Sequence, residues 1–275
     1  NRMTSPAFYD PNFDPLSSMP SQIDQYEIVE KLGAGGMGTV FKAKDSTLRR
    51  WVAIKMVPRA SKNDTVLKRF LREIDVCSRL DHPNIVKIYQ VGTLERMPYL
   101  VMEYIAGETL LRHFEARATS LQEKIGMIGK IARALHYAHG RQVLHRDIKP
   151  SNIMVRENGE PVLMDFGLAK TSEVTDRSLT QSGEVIGTPQ YMSPEQARGL
   201  KRQIDERSDV YGLGALLYHV LSGTPPADGE SFMAVLRQVV EKSPVLPSRI
   251  HKEVPKALES ICLVAISKNK KNRYA

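Results

Sequence analysis

The sequence is poor in cysteine, with 2 among 275 residues, so the disulfide framework that staples small secreted domains is not available to it. Cys77 and Cys262 both sit in apolar helical patterns, where a thiol behaves as a small buried hydrophobe. A reducing, intracellular setting is the expectation. Long apolar runs are missing as well: nothing reaches the roughly 18 residues of a membrane span. The N-terminus lacks the basic and apolar regions of a signal peptide. No internal repeat or low-complexity tract is present. Because the chain opens at Asn1 without an initiator methionine, it is read as a piece of a longer protein. This domain is expected in the cytoplasm with no membrane contact required of it, any anchor belonging to other parts of the parent.

With 41% apolar and 25% charged residues, the chain can bury the core of one domain or of two closely joined lobes. The formal charge of +8 is spread from Arg49 and Arg50 to Lys268, Lys270, Lys271 and Arg273. Spread in this way, and without an aromatic-basic platform, it reads as a solvated surface, and no nucleic-acid partner is expected.

Residues 1–24 are rich in Pro, Ser and Asp and read as a flexible leader or linker. Residues 26–32, 38–44 and 51–57 read as strands of an antiparallel meander. Asp64 can cap a helix with Val66, Leu67, Phe70, Leu71, Ile74 and Cys77 on one face, stopped at Asp81-His82-Pro83. Strand-like runs follow at 85–91 and 99–104. Beyond Gly107 the period turns helical, with Leu121, Ile125, Ile128, Ala132, Leu135 and His139 on one stripe. A hairpin at 153–155 and 161–164 turns at Asn158-Gly159. Further helices are expected at 208–221, 231–242 and 255–267. The layout is α+β, a small β-rich lobe with one main helix followed by a larger, mostly helical lobe.

Gly33-Ala34-Gly35-Gly36-Met37-Gly38 lets backbone amides approach phosphates where side chains would obstruct them. A strand follows the glycines in place of the helix a dinucleotide fingerprint requires, and no Walker lysine comes after them. Val52-Ala53-Ile54-Lys55 sets one lysine in an apolar strand, where it needs an anionic partner such as a phosphate or Glu73. His145-Arg146-Asp147-Ile148-Lys149-Pro150-Ser151-Asn152 is followed by Asp165-Phe166-Gly167. One carboxylate can accept the proton of an attacking hydroxyl, and Asn152 and Asp165 supply hard oxygens suited to Mg²⁺. Singly, each acid reads as a loop cap; together, in this order, they point to phosphoryl transfer.

With these motifs, with Ser193-Pro194-Glu195 in place of the usual A-P-E and with Asp209-Val210-Tyr211-Gly212-Leu213-Gly214, the chain from Tyr26 onward resembles the protein kinases, especially bacterial eukaryotic-like serine/threonine kinases. The resemblance implies a kinase domain over 25–275, with an N-lobe over about 25–102, a hinge at 103–107, and a C-lobe over 108–275 whose last helix is truncated. It implies ATP and Mg²⁺ as cofactors. Residues Leu32, Gly33, Ala34, Gly35, Gly36, Met37 and Gly38 would cover the nucleotide; Val40, Ala53 and Met154 would sandwich adenine with Met102 at the back. Glu103 and Ile105 would offer hinge hydrogen bonds, and Lys55 would hold the phosphates. Asn152 and Asp165 would hold the metal, Asp147 the substrate hydroxyl, and Lys149 the transferring group.

Lys149, and Thr188 in Gly187-Thr188-Pro189-Gln190-Tyr191, point to Ser/Thr over Tyr in protein substrates. Ser151 stands where kinases that favour basic peptides often carry Glu. Glu73 would pair with Lys55, and Glu195 with Arg273. The hydroxyl-rich stretch 171–182 is expected to be a mobile activation loop, with phosphate on Thr180 or Ser182 ordered by Arg146 and delivered through self-association. The alternatives are a pseudokinase or scaffold that uses the fold for partner binding, and a nucleic-acid module resting on net charge alone.

Overall fold

The computed structural model describes residues 20–35, 38–57, 74–94, 97–166 and 189–275, and the chain divides into two compact units. The first comprises the described residues up to 57 together with Gln90–Tyr104. It is a six-stranded sheet in the order β1-β2-β3-β4-β6-β5. The strands are β1 (Gln22–Ile23), β2 (Tyr26–Gly35), β3 (Gly38–Asp45), β4 (Arg50–Met56), β5 (Ile88–Leu94) and β6 (Met97–Glu103). Side chains alternate across a strand, so opposed residues share a face. Phe41, Ile54 and Val101 are aligned across β3, β4 and β6, as are Ala43 with Val52 and Met56 with Tyr99; all seven are buried. Each large apolar side chain buried there contributes about 1.5–3 kcal/mol.

The structure departs from the expected leader at its end. Ile23 pairs with Tyr26, the Ser21 carbonyl accepts from the Ile28 N–H, and the Tyr99 hydroxyl donates to Asp24. A two-residue strand carries no period of its own, which is why composition alone assigned residues 20–24 to the linker.

The second unit holds the described residues 74–89 and those from 105 onward. Its small sheet joins β7 (Gly107–Thr109), β8 (Ile153–Arg156) and β9 (Pro161–Leu163). Its helices are α1 (Leu110–Ala116), α2 (Leu121–His139), α3 (Pro194–Ala197), α4 (Glu206–Ser222), α5 (Phe232–Glu241), α6 (Pro247–Ile250) and α7 (Lys256–Ala265). Residues 74–78 are helical, with Ile74 buried and Cys77 packed on the main core; the rest of the helix expected from Asp64 lies outside the described residues. The expected strand 85–91 begins only at Ile88. The chain before it pairs elsewhere: Val86 N–H donates to the Leu163 carbonyl and Leu163 N–H to the Asn84 carbonyl, both at 2.9 Å.

α2 starts at a reciprocal cap, where Ser120 Oγ accepts from Glu123 N–H at 3.3 Å and Glu123 Oε2 accepts from Ser120 N–H at 2.8 Å. Its deepest face is Ile128, Ile131, Ala134, Leu135 and Ala138, packed in the main core. Ile125, Ala132 and His139 of the expected stripe, together with Ile128 and Leu135, line an apolar cavity of about 370 Å³ shared with α4 and α7. α4 begins at Asp205, whose carboxylate accepts from Arg207 N–H, and ends at Gly223 in the left-handed region (φ 75°).

Candidate functional site

In the first unit, the register of β3, β4 and β6 puts Val40 opposite Lys55 and Ala53 opposite Met102, so these four share the face opposite the Phe41–Ile54–Val101 layer. Gly33 lies across from Val40 on β2, and the pairing closes at Gly35 and Gly38. Neither Gly33 nor Gly35 is required by its own backbone angle, and a Cβ on either would meet no atom of the described residues within 4 Å. Leu32 is 45% exposed, while Lys55 is 5% exposed. Glu103 closes β6, and in the second unit Ile105 is buried. Gly36 and Met37 lie outside the described residues.

The second unit builds the acid cluster on a loop between α2 and β8, and Asp209 of α4 holds that loop. Its Oδ2 accepts from His145 N–H and from His139 Nε2, each at 2.8 Å, and its Oδ1 accepts from Arg146 N–H at 2.7 Å. Arg146 is thereby kept at φ 65°, a left-handed conformation that costs a non-glycine residue of order 1 kcal/mol or more. α4 comes this near because Gly212 has no side chain: a Cβ there would stand 2.9 Å from the Ile148 Cβ.

His145 is fully buried, and burial pushes its imidazole below the ordinary histidine range, so it is neutral. Its Nδ1 accepts from Asp147 N–H at 3.2 Å, which leaves the proton on Nε2 to donate to the Met164 carbonyl at 2.8 Å. Asp147 Oδ2 is gripped by Lys149 Nζ at 2.8 Å and Asn152 Nδ2 at 3.0 Å, and the same amide donates to the Asp147 carbonyl at 2.8 Å. The Asn152 carbonyl accepts from Met164 N–H at 2.8 Å, tying the loop to the residue before Asp165. Asp165 stands at φ 56°, and Phe166 is buried with its ring 4.7 Å from that of His145. Met154 sits on β8 opposite Thr109 and Val162.

Glu195 and Arg273 form a buried two-pronged pair, Oε1 to Nη1 at 2.7 Å and Oε2 to Nη2 at 3.0 Å. Ser208 Oγ donates to the same Oε1 at 2.6 Å. Burial alone would raise the Glu195 pKa, but the hydrogen bonds from Arg273 and Ser208 bring it down to about 2. Beside this pair, Gln196 Nε2 donates to the Arg146 carbonyl at 2.7 Å, joining α3 to the loop.

The structure therefore gathers Asp147, Lys149, Asn152 and Asp165 in one unit and aligns Val40, Ala53, Lys55 and Met102 in the other. Glu73, Gly167, Thr180, Ser182 and Thr188 lie outside the described residues. Sequence reasoning gave no role to Asp209, His139 or Gln196. Asp209 was visible as the first residue of Asp209-Val210-Tyr211-Gly212-Leu213-Gly214, but without the structural role it has here.

The sequence profile described as protein kinase domain matches residues 26–275. The serine/threonine-protein kinase PknB of Mycolicibacterium smegmatis is 43% identical over 259 residues, covering 91% of this chain and 41% of that protein. The PknB of Mycobacterium tuberculosis is 42% identical over 264 residues, covering 93% of this chain and 42% of that protein. The chain thus spans about two-fifths of the length of these curated relatives. Among solved structures, the kinase domain of Mycobacterium tuberculosis PknI, determined as a point mutant, matches with a TM-score of 0.72 at 26% identity, covering 94% of each chain.

Proposed function

The chain belongs to the protein kinase domain family, and on that premise we propose that it transfers the γ-phosphoryl group of ATP to serine and threonine hydroxyls of proteins. The observation that carries this reading is the Asp147 carboxylate, oriented by Lys149 and Asn152 on a loop hung from Asp209. Asp147 accepts the proton of the attacking hydroxyl, and Lys149 stabilises charge on the transferring phosphoryl group. The protein does little covalent chemistry; it positions and neutralises. Lys55 holds the nucleotide phosphates, Val40, Ala53 and Met102 on the same sheet face lie against adenine, and the Glu103 backbone binds its edge.

The donor set fits Mg²⁺, which prefers hard oxygens from one or two carboxylates plus phosphates. With Asn152 Nδ2 donating to Asp147, its amide presents an oxygen as the remaining group, and Asp165 adds a carboxylate. When bound, Mg²⁺ supplies charge neutralisation on the phosphates. We read residues 25–275 as the kinase domain, working where ATP is supplied, in the cytoplasm, on protein substrates that include a second copy of itself at Thr180 and Ser182. Among the described residues no helix is long and apolar enough to cross a membrane.

The test is Asp147→Asn assayed with labelled ATP-Mg and a serine/threonine peptide. Transfer should fall about 10²- to 10⁴-fold, the usual share of a positioned general base, with the thermal melt unchanged. Equal rates for the variant and the wild type would contradict the assignment. A wild-type protein that binds ATP but transfers nothing would support the scaffold reading instead.

A further inference from the structure

The sheet face that carries Val40, Ala53, Lys55 and Met102 runs on past Ala53. Lys42 of β3 lies opposite Ala53, and Trp51 of β4, two residues before Ala53, is on the same side. Lys42 Nζ stands 4.9 Å from the centre of the Trp51 ring and 4.7 Å from that of Tyr104. Among the described residues it is the one cation placed over two different rings. Glu30, its partner on β2, holds the same ammonium at 3.2 Å; that hydrogen bond outweighs the cost of lost hydration and raises the Lys42 pKa, so the group is charged at neutral pH. Trp51 is the only tryptophan of the chain and is 48% exposed. Half in water, it adds little to a core, but an indole is the best of the rings for holding a cation. The position of Tyr104 gives the cluster its use. The ladder between β4 and β6 ends at Val52 opposite Glu103, so Tyr104 is the first residue beyond it. Where the ladder stops, the ammonium shared with Trp51 holds the chain to β3 and β4.

We propose that Lys42 is a positioning residue for the nucleotide: sharing its charge between Trp51 and Tyr104, it clamps the end of β6 to the sheet and so sets the Glu103 backbone at the adenine edge. This rests on the kinase reading above. Glu103 is then held from both sides, by the ladder at Met102 and by the clamp at Tyr104. Lys42 acts through Tyr104, and losing the clamp should loosen the nucleotide without disturbing the Asp147 loop, which belongs to the other unit. If the lysine stem merely covered apolar surface, methionine would serve as well; if its charge draws the two rings together, only a cation will.

Four purified variants separate these cases: Lys42→Met, which removes the charge and keeps a stem; Lys42→Arg, whose guanidinium also stacks on aromatic faces; and Trp51→Leu and Tyr104→Leu, each of which removes one ring. Two quantities are read, the acrylamide quenching constant of tryptophan emission, which reports Trp51 alone, and the steady-state constants for ATP and peptide. Quenching should rise about twofold in Lys42→Met and in Tyr104→Leu and stay at the wild-type value in Lys42→Arg. The ATP KM should rise about fourfold in Lys42→Met, Trp51→Leu and Tyr104→Leu and return to within about twofold in Lys42→Arg, with kcat and the peptide KM within about twofold throughout. Unchanged quenching in folded Lys42→Met and Tyr104→Leu would overturn the clamp. Raised quenching with an unchanged ATP KM would overturn its role toward the nucleotide. A raised ATP KM in Lys42→Met alone, with both ring variants at the wild-type value, would show the ammonium meeting the nucleotide itself and overturn the action through Tyr104. Lack of phosphoryl transfer by the wild type would instead overturn the kinase reading and the nucleotide role with it, the quenching arm still deciding the clamp.

Discussion

The glycine-rich face of the first unit and the acid-bearing loop of the second solve opposite problems. The face is defined by what is left out, since among the described residues no atom stands within 4 Å of a Cβ built on Gly33 or Gly35 and neither needs glycine for its own backbone. The loop is defined by what is put in: a buried carboxylate, a buried neutral imidazole and an amide hold it in a left-handed bend it would otherwise avoid. A site for a ligand that brings its own charge can be shaped by absence. A site that must hold a proton acceptor in one orientation has to be anchored from within the fold.

The largest effect should come from removing the anchor. Asp209→Ala takes the acceptor from two backbone N–H groups and from His139, and each buried group left unpaired costs about 1–3 kcal/mol. Phosphoryl transfer should drop by about 100-fold or more as Asp147 loses its placement, with a lowered melting temperature. If the variant keeps full activity, the loop is held by something other than Asp209.

Glu195→Gln should come next. It leaves the buried Arg273 guanidinium without its countercharge, and breaking a buried pair by removing one partner costs about 3–5 kcal/mol, measurable as a shift in the urea midpoint. The same pair sets an acid limit. The folded pKa of Glu195 is about 2, below the ordinary glutamate value, so its contribution is complete above that ordinary value and is lost as pH falls toward 2. Urea midpoints measured from neutral pH downward should decline more steeply for the wild type than for Glu195→Gln; parallel curves would show that other carboxylates carry the acid sensitivity.

Why one region was readable and the other only in part follows from where the partners are. β2, β3 and β4 are specified by local alternation and by the glycines, so strands expected at 26–32, 38–44 and 51–57 fall on the observed ones and the shared face of Val40, Ala53 and Lys55 follows from register. Asp147, Lys149 and Asn152 were visible as a motif and Asp209 as part of another, but the bonds that join them were not: Asp209 is 63 residues from Arg146 and Gln196 is 50. α1 escaped notice because Arg112, His113 and Glu115 interrupt its apolar period, although His113 is buried against Glu108. The stretch 85–87 reads as part of a longer strand because extended apolar chain looks alike whichever sheet it joins.

The smallest expected effect lies on the glycine face, where the contrast predicts function without stability. Gly35→Ala should leave the stability unchanged or raised by about 1 kcal/mol or less, because the added methyl meets no atom of the described residues and the unfolded chain loses freedom. The ATP KM should nevertheless rise. A clear loss of stability would mean that the glycine serves the fold.

The central claim is that the anchored loop performs phosphoryl transfer to serine and threonine, and phosphoamino-acid analysis tests it most directly. Purified protein is incubated with labelled ATP-Mg and a substrate mixture offering Ser, Thr and Tyr hydroxyls, beside a folded Asp147→Asn control. The account predicts phosphoserine and phosphothreonine from the wild type and almost none from the control. Predominant phosphotyrosine, or equal incorporation by the control, would contradict it.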